Sequence, residues 1–156
     1  MLWLELRHMD RTAKIERSLA LIERFHGGEV ARARGVLDDV AFSYNARLRT
    51  APESQRPNDK QIAQIAVGEM LSESATSRAK LSELLLVTRF LDEAALCVEA
   101  GLCRRDIVCQ YLTTYARGLY ATFGAAIEEY RRINDLGNLG LGVDRMRNYT
   151  CEPAFS

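Results

Sequence analysis

The chain has 156 residues, of which 47% are hydrophobic, so it can bury a core as one domain without metals or disulfides. It carries 21 basic and 21 acidic residues, and this zero net charge argues against direct nucleic-acid binding and against an acidic mimic of nucleic acid. No apolar run approaches the roughly 20 residues that cross a bilayer. We therefore expect a soluble, cytoplasmic protein.

The opening segment Leu2-Trp3-Leu4-Glu5-Leu6 is apolar but too short for a signal-peptide core. Two interpretations stay open. Met9 is an alternative start, or Leu2, Trp3 and Leu6 form a short amphipathic lead that docks on the body or on a partner. Membrane association is expected only through residues 2–6.

Two antiparallel helices are predicted next. Asp10 is the expected cap of the first helix, and Gly27-Gly28 ends it. Its apolar positions recur on one side: Ile15, Leu19, Ile22 and Phe25. The stripe of the second helix is Val30, Ala33, Leu37, Val40, Ala41, Tyr44 and Leu48. The short connection makes the two helices neighbours.

A surface loop with two prolines follows over residues 50–58. Asn58 and Gln61 have the spacing of a capping box that opens a third helix. Its apolar positions are Ile62, Ile65, Ala66, Met70 and Leu71. The hydroxyl-rich residues 72–77 predict a break, with Thr76 or Ser77 capping the next helix. A single bent helix is the alternative.

Residues 81–132 predict a helical hairpin that turns at Gly101, because a glycine there can take the left-handed conformation that closes a helix. The second arm, residues 104–133, has apolar residues at three- and four-residue steps from Val108 to Tyr130. Gly118 and Gly124 lie inside it. We interpret them as a close helix crossing, with a ligand pocket opened by the missing side chains as the alternative.

Residues 134–156 contain three glycines in a run without helical period and predict an irregular tail. Its expected anchors are Leu139, Leu141, Tyr149 and Phe155. The sequence thus predicts an all-α domain over residues 1–156: an irregular bundle of about five helices, with a helical core at 10–133 and a long C-terminal hairpin.

The four cysteines are Cys97, Cys103, Cys109 and Cys151, and we expect reduced thiols, as is usual for a cytosolic protein. Their spacing fits neither a zinc site nor a redox pair, so no metal site is predicted.

No residue pattern indicates catalysis or a cofactor. The adjacent carboxylates Asp38-Asp39, Asp92-Glu93 and Glu128-Glu129 diverge by about 100° on a helix, so we interpret them as solvated faces. Gly137, Gly140 and Gly142 lack the preceding strand and the following lysine and hydroxyl of a phosphate loop. We predict that the protein is not an enzyme.

A candidate interaction surface combines tyrosines of the second arm with nearby arginines. Its members are Tyr111, Tyr120, Tyr130, Arg131, Arg132, Arg145 and Arg147.

Residues 11–132 resemble the DUF4760 type of bacterial helical domain. The resemblance lies in Arg11-Thr12-Ala13-Lys14 with residues 30–37, and in residues 90–102 followed by Tyr111, Tyr120, Ile127 and Arg131. The family carries no assigned chemistry, so the resemblance implies a fold and no catalytic residue. Many of its members begin with a membrane-spanning helix, for which this sequence offers only Leu2 to Leu6.

Our leading hypothesis is therefore a non-catalytic module that binds a protein partner through helix faces or the tail. A homodimer along the long second arm is one form of it. The alternative is a small defence or counter-defence protein, similar in role to an anti-CRISPR protein, that binds a nucleoprotein complex.

Overall fold

The computed structural model describes residues 2–56 and 58–151, and for residues 2–7, 55 and 59 it describes the backbone alone. Six helices lie in this part of the chain, joined by turns and a short 3₁₀ segment, Glu53–Gln55. The helices are α1 Leu2–His26, α2 Gly28–Thr50, α3 Asp59–Leu71, α4 Ala75–Glu99, α5 Arg105–Ile133 and α6 Leu141–Arg147. The predicted all-α bundle is confirmed.

The two N-terminal helices are as predicted, except for the start of the first. Gly27 is the N-cap of α2, and Gly28 has a left-handed φ of 60°. The predicted cap at Asp10 is wrong, because α1 already begins at Leu2. Asp10 lies inside the helix and pairs with Lys14 at 2.7 Å, as residues four apart on a helix can.

The apolar stripes face the core with two exceptions. Leu19 of α1 is 51% exposed and Ile65 of α3 is 44% exposed, because α1 packs through Leu21, Ile22 and Phe25 and α3 through Ala66 and Met70. Of the residues expected in the α2 stripe, Val30, Ala33, Leu37, Val40 and Tyr44 are buried.

The starts of α3 and α4 show how local side-chain hydrogen bonds fix the boundaries of helices. Asn58 and Gln61 form the predicted capping box of α3, each side chain bonding to the other's backbone N–H. The break before α4 is also present. However, its cap is Ser74, whose Oγ accepts from the Ser77 N–H at 3.1 Å, so the prediction of Thr76 or Ser77 was wrong.

Gly101 reverses the chain as predicted. It has φ 68°, and the Leu102 N–H donates to the Cys97 carbonyl at 3.0 Å, which closes the end of α4. The helix that follows, α5, is continuous over 29 residues. The two arms nevertheless pack mainly on other helices: α4 lies against α2 and α6, and α5 against α3 and α6.

The prediction of an irregular tail over residues 134–156 is wrong, because α6 lies within it. Asp92 of α4 holds this segment. Its carboxylate accepts from the N–H groups of Gly140 and Gly142 at 2.7 Å and from that of Val143 at 3.2 Å. Burial raises the pKa of Asp92, and these three donors and the charge of Arg131 oppose the rise.

Asp92 is therefore half-buried, and its assignment to a solvated face was wrong. A side chain on either of the two donating glycines would not fit: a Cβ on Gly142 would lie 2.5 Å from the Asp92 Cα, and Gly140 has φ 78°. Of the predicted anchors of this segment, Leu139 and Tyr149 are buried. Phe155 lies outside the described residues, as do the side chains of Leu2, Trp3 and Leu6.

The expectation of reduced thiols is also wrong. Cys97 and Cys103 are joined across the turn at Gly101, with Cα atoms 5.2 Å apart. Cys109 of α5 is joined to Cys151, with Cα atoms 5.5 Å apart. Both separations lie in the range that a disulfide spans. The pairing follows from the fold, since α6 returns the chain to the start of α5.

Among the described helices, none combines the length and the apolar character that crossing a membrane requires.

Candidate binding cleft between α2 and α5

The arginines of the predicted interaction surface are bound within the protein. Arg132 pairs with Glu129 at 2.5 Å, Arg145 with Glu99 at 2.5 Å, and Arg147 with Asp144 at 2.6 Å. Arg131 donates to the Leu139 carbonyl at 3.4 Å. These contacts neutralise or occupy each guanidinium, so the four do not form one free basic patch.

The three tyrosines of that surface lie in different surroundings. Tyr111 is 47% exposed, and Tyr130 is half-buried. Tyr120 donates its hydroxyl to Glu128, and the Arg147 guanidinium lies 3.8 Å from its ring centroid. The structure thus brings together only Tyr120 and Arg147 of the predicted set, and their contact joins α5 to α6.

A cleft of about 330 Å³ opens between α2 and α5. Its floor consists of buried apolar side chains, and its rim consists of small or polar residues that reach solvent. The lining residues are Leu37, Asp38, Ala41, Thr114, Tyr115, Gly118, Leu119, Thr122 and Phe123. We refer to this set as the α2–α5 cleft. Its volume lies at the lower end of the range of small ligand sites.

Aromatic and cation–π contacts lie beside the α2–α5 cleft at its lining residues Tyr115 and Phe123. At one end the Arg34 guanidinium lies 3.7 Å from the Phe25 ring centroid and 4.8 Å from that of Tyr115. At the other end the rings of Tyr44 and Phe123 are 6.4 Å apart. The two helices therefore run in the same direction here, and Tyr115 to Phe123 spans about 12 Å at 1.5 Å per residue.

The end at Arg34 holds polar atoms without partners. The Tyr115 hydroxyl and the Arg34 Nε are buried and have no hydrogen-bond partner among the described residues. Burial raises the pKa of Tyr115 to about 12; the charge of Asp38 adds to the rise and that of Arg34 opposes it. Asp38 and Arg34 thus act at the same end of the cleft with opposite charges.

Gly118 leaves the rim of the α2–α5 cleft open. A Cβ at this position would have no atom within 4 Å, so the predicted close helix crossing is wrong for Gly118 and the pocket alternative fits it. Gly124 differs. Its Cβ would lie 2.9 Å from the Tyr120 ring of the same helix, so this glycine makes room for that ring.

The exposed side of α5 beside the cleft carries little charge. We define the outer face of α5 as five exposed residues, Gln110, Tyr111, Thr114, Gly118 and Ala121. The neighbouring Arg117 donates to the carbonyls of Arg147 and Tyr149 at 2.8 and 3.0 Å. Exposed helix faces of soluble proteins usually carry charged residues. This face therefore carries less charge than is usual for an exposed helix face.

Phe42 is an exposed aromatic residue that no sequence pattern singled out. It is 75% exposed, the largest exposed fraction among the large hydrophobic residues described. It follows Asp38 by four residues, so both lie on the same side of α2, beside the cleft. The available signal was its position outside the α2 stripe, since it falls on the side opposite Val40 and Tyr44.

Within the described part of the chain, no group of three or more His, Cys, Asp or Glu side chains is placed to hold a metal ion. The cleft offers apolar contact area and hydrogen-bonding groups.

The chain was compared with family models, with curated proteins and with solved structures, and none of the three comparisons gave a match.

Proposed function

We propose that this protein is a non-catalytic protein-interaction module that binds its partner through the outer face of α5 and the adjoining α2–α5 cleft. The observation that carries the proposal is the low charge of this face. From Gln110 to Ala121 the only charged exposed residue is Arg117, and two backbone carbonyls already accept from it.

Further support comes from the exposed aromatic residues beside this surface. Phe42 on α2 and Tyr111 on α5 are both exposed, at 75% and 47%. Aromatic side chains contribute much of the binding energy of protein interfaces, because they bury large areas at a low cost in conformational entropy. Their exposure next to an apolar cleft favours a protein partner.

The other expectations about identity stay predictions. The DUF4760 resemblance supplies a fold without chemistry, and a homodimer remains one form of the interaction hypothesis. The defence-protein alternative is supported by no specific feature of the described residues. For the location, the two disulfides favour an oxidising compartment over the cytoplasm that we expected from the sequence.

The test is site-specific photo-crosslinking in cells that naturally make the protein. A photoreactive amino acid replaces Ala121 on the outer face of α5, and a matched variant carries it at Gln64, an exposed position on α3. We expect one discrete adduct from position 121 and none from position 64. An adduct of twice 17.6 kDa would identify the partner as a second copy.

The proposal is wrong if position 121 gives no adduct, or if both positions give the same ones.

A further inference from the structure

We propose that the disulfide between Cys109 and Cys151 is a redox latch: a dithiol reductant opens this bond, and residues 148–151 are then released from α5. This inference goes beyond the proposed function and does not depend on it, because it concerns how the end of the described chain is held, whichever partner binds.

A cavity of about 320 Å³ lies against this disulfide. Its lining residues are Arg105, Asp106, Cys109, Thr150 and Cys151. Cys151 is exposed, while Cys97 is half-buried and Cys103 is buried. Thiol–disulfide exchange needs a thiolate to reach a sulfur atom, and exposed disulfides are the labile and regulatory ones. The bond at Cys151 is therefore the more accessible of the two disulfides.

The different burial of the two sulfur atoms sets the direction of the exchange. The thiolate of the reductant attacks the Sγ of Cys151, since Cys109 is only 1% exposed. A bond between the reductant and Cys151 forms as the Sγ–Sγ bond breaks, and Cys109 leaves as a thiolate. The second thiol of the reductant then displaces Cys151. The reductant becomes a disulfide, and its two electrons and two protons pass to the two cysteines.

The surroundings of Cys109 stabilise the thiolate that leaves. The buried Thr113 hydroxyl donates to the Cys109 Sγ at 3.5 Å. Arg105 precedes Cys109 by one helical turn and lines the same cavity, so its positive charge lies on the same side of α5. The carboxylate of Asp106 at this cavity is paired with Arg104. A stabilised thiolate is a better leaving group, so these contacts favour opening of this disulfide.

Few other contacts hold the residues that follow α6. Tyr149 is 8% exposed, but its hydroxyl is buried without a partner among the described residues, and this cost offsets part of the gain from burying the ring. The exposed Arg105 lies 4.5 Å from the Tyr149 ring centroid. The exposed Arg117 donates to the carbonyls of Arg147 and Tyr149. The covalent bond is therefore the strongest constraint on this end.

Opening of the latch should release the end and leave α6 in place. Asp92 accepts from backbone N–H groups within residues 140–143, and this anchor does not involve the disulfide. When residues 148–151 leave α5, Arg105 and Arg117 lose their contacts with Tyr149. The reduced form thus carries two less constrained positive charges on α5, one of them beside the outer face of α5.

The first test is the rate at which each pair is reduced in the full oxidised protein. Dithiothreitol is the probe, an alkylating agent stops the reaction at successive times, and peptide mass spectrometry quantifies each cysteine. We expect Cys109 and Cys151 to be reduced at least about tenfold faster than Cys97 and Cys103. With glutathione, a monothiol, the first mixed disulfide should form on Cys151, and the alkylating agent should then label Cys109.

A pair of variants tests the leaving group. Thr113→Val keeps the shape of the side chain and removes the donor to Cys109, and Thr114→Val at the next, exposed position is the matched control. We expect Thr113→Val to slow reduction of the latch about fivefold and to leave reduction of the other pair unchanged. Thr114→Val should change neither rate. If Thr113→Val impairs folding, both pairs will be reduced faster, and the position of the glutathione adduct on the unaltered protein then decides.

Hydrogen exchange with mass spectrometry locates the release. The N–H groups of Asn148 and Tyr149 donate to the carbonyls of Arg145 and Met146 in the oxidised form. With the latch reduced, exchange at these two residues should be at least about tenfold faster, and exchange in residues 140–143 should be unchanged. The inference is overturned if both pairs are reduced at the same rate, if glutathione attaches first to Cys109, or if reduction leaves exchange at Asn148 and Tyr149 as it was.

Discussion

The carboxylate of Asp92 offers the sharpest test of how the C-terminal segment is held. The change is Asp92→Ala, and the matched control is Glu93→Ala at the next position of α4. Asp92 accepts three backbone N–H bonds from the α6 segment. Glu93 makes an ion pair with Arg24 in which both side chains are 53% exposed. The two variants remove the same charge from neighbouring positions.

The expected loss follows from these contacts. A hydrogen bond to a charged group contributes about 1.5–3 kcal/mol. Two of the three bonds to Asp92 are short, at 2.7 Å, and although burial of the carboxylate outweighs them in its raised pKa, removing it would leave three backbone N–H groups without this partner. We therefore expect Asp92→Ala to lower the free energy of unfolding by about 4 kcal/mol. Glu93→Ala should lower it by less than about 1 kcal/mol, as is usual for exposed pairs.

Urea denaturation of the oxidised protein measures the loss, and hydrogen exchange with mass spectrometry locates it. A local loss of about 4 kcal/mol corresponds to roughly a thousandfold faster exchange in residues 139–150. Asp92 would not be the anchor of α6 if the two variants lost the same stability, or if exchange in this segment stayed unchanged.

Three further predictions concern other parts of the molecule. Gly142→Ala should lower the free energy of unfolding by more than about 2 kcal/mol, because its Cβ would lie 2.5 Å from the Asp92 Cα. Gly35→Ala should raise the free energy of unfolding by about 1 kcal/mol, because alanine favours a helix interior and nothing lies within 4 Å of its Cβ. Thermal and urea denaturation measure both variants, and equal effects would contradict the predicted steric clash. Replacing Cys109 and Cys151 by serine should lower the free energy of unfolding by about 4 kcal/mol, and replacing Cys97 and Cys103 should lower it by about 2 kcal/mol, because the first pair closes a 42-residue loop and the second a 6-residue loop. The reverse order of stability would refute this reasoning. Thiol alkylation of the unaltered protein should find no free cysteine. Tyr115→Phe should leave the free energy of unfolding unchanged or raise it by up to about 1 kcal/mol, because it removes a buried hydroxyl without a partner. A loss above about 1 kcal/mol in urea denaturation would show that the hydroxyl is hydrogen-bonded.

The sequence by itself determined five of the six described helices and most of their ends. Apolar spacing, the Asn58–Gln61 capping box and the glycine at position 101 act over three to five residues, so they can be read from the chain. These local signals predicted α2, α3, α5 and the turn between α4 and α5. Where they were ambiguous, as among the serines before α4, the predicted cap was misplaced by two or three residues.

Only the tertiary structure decided which residues meet across the chain. The backbone N–H groups of Gly140 and Gly142 donate to the carboxylate of Asp92, which lies 48 and 50 residues away in the sequence. The arginines of the predicted interaction surface are occupied by Glu99, Glu129, Asp144 and the Leu139 carbonyl. The cleft likewise depends on the placement of α2 opposite α5, because helical periodicity fixes which side of a helix is buried and carries no information about which helix faces it.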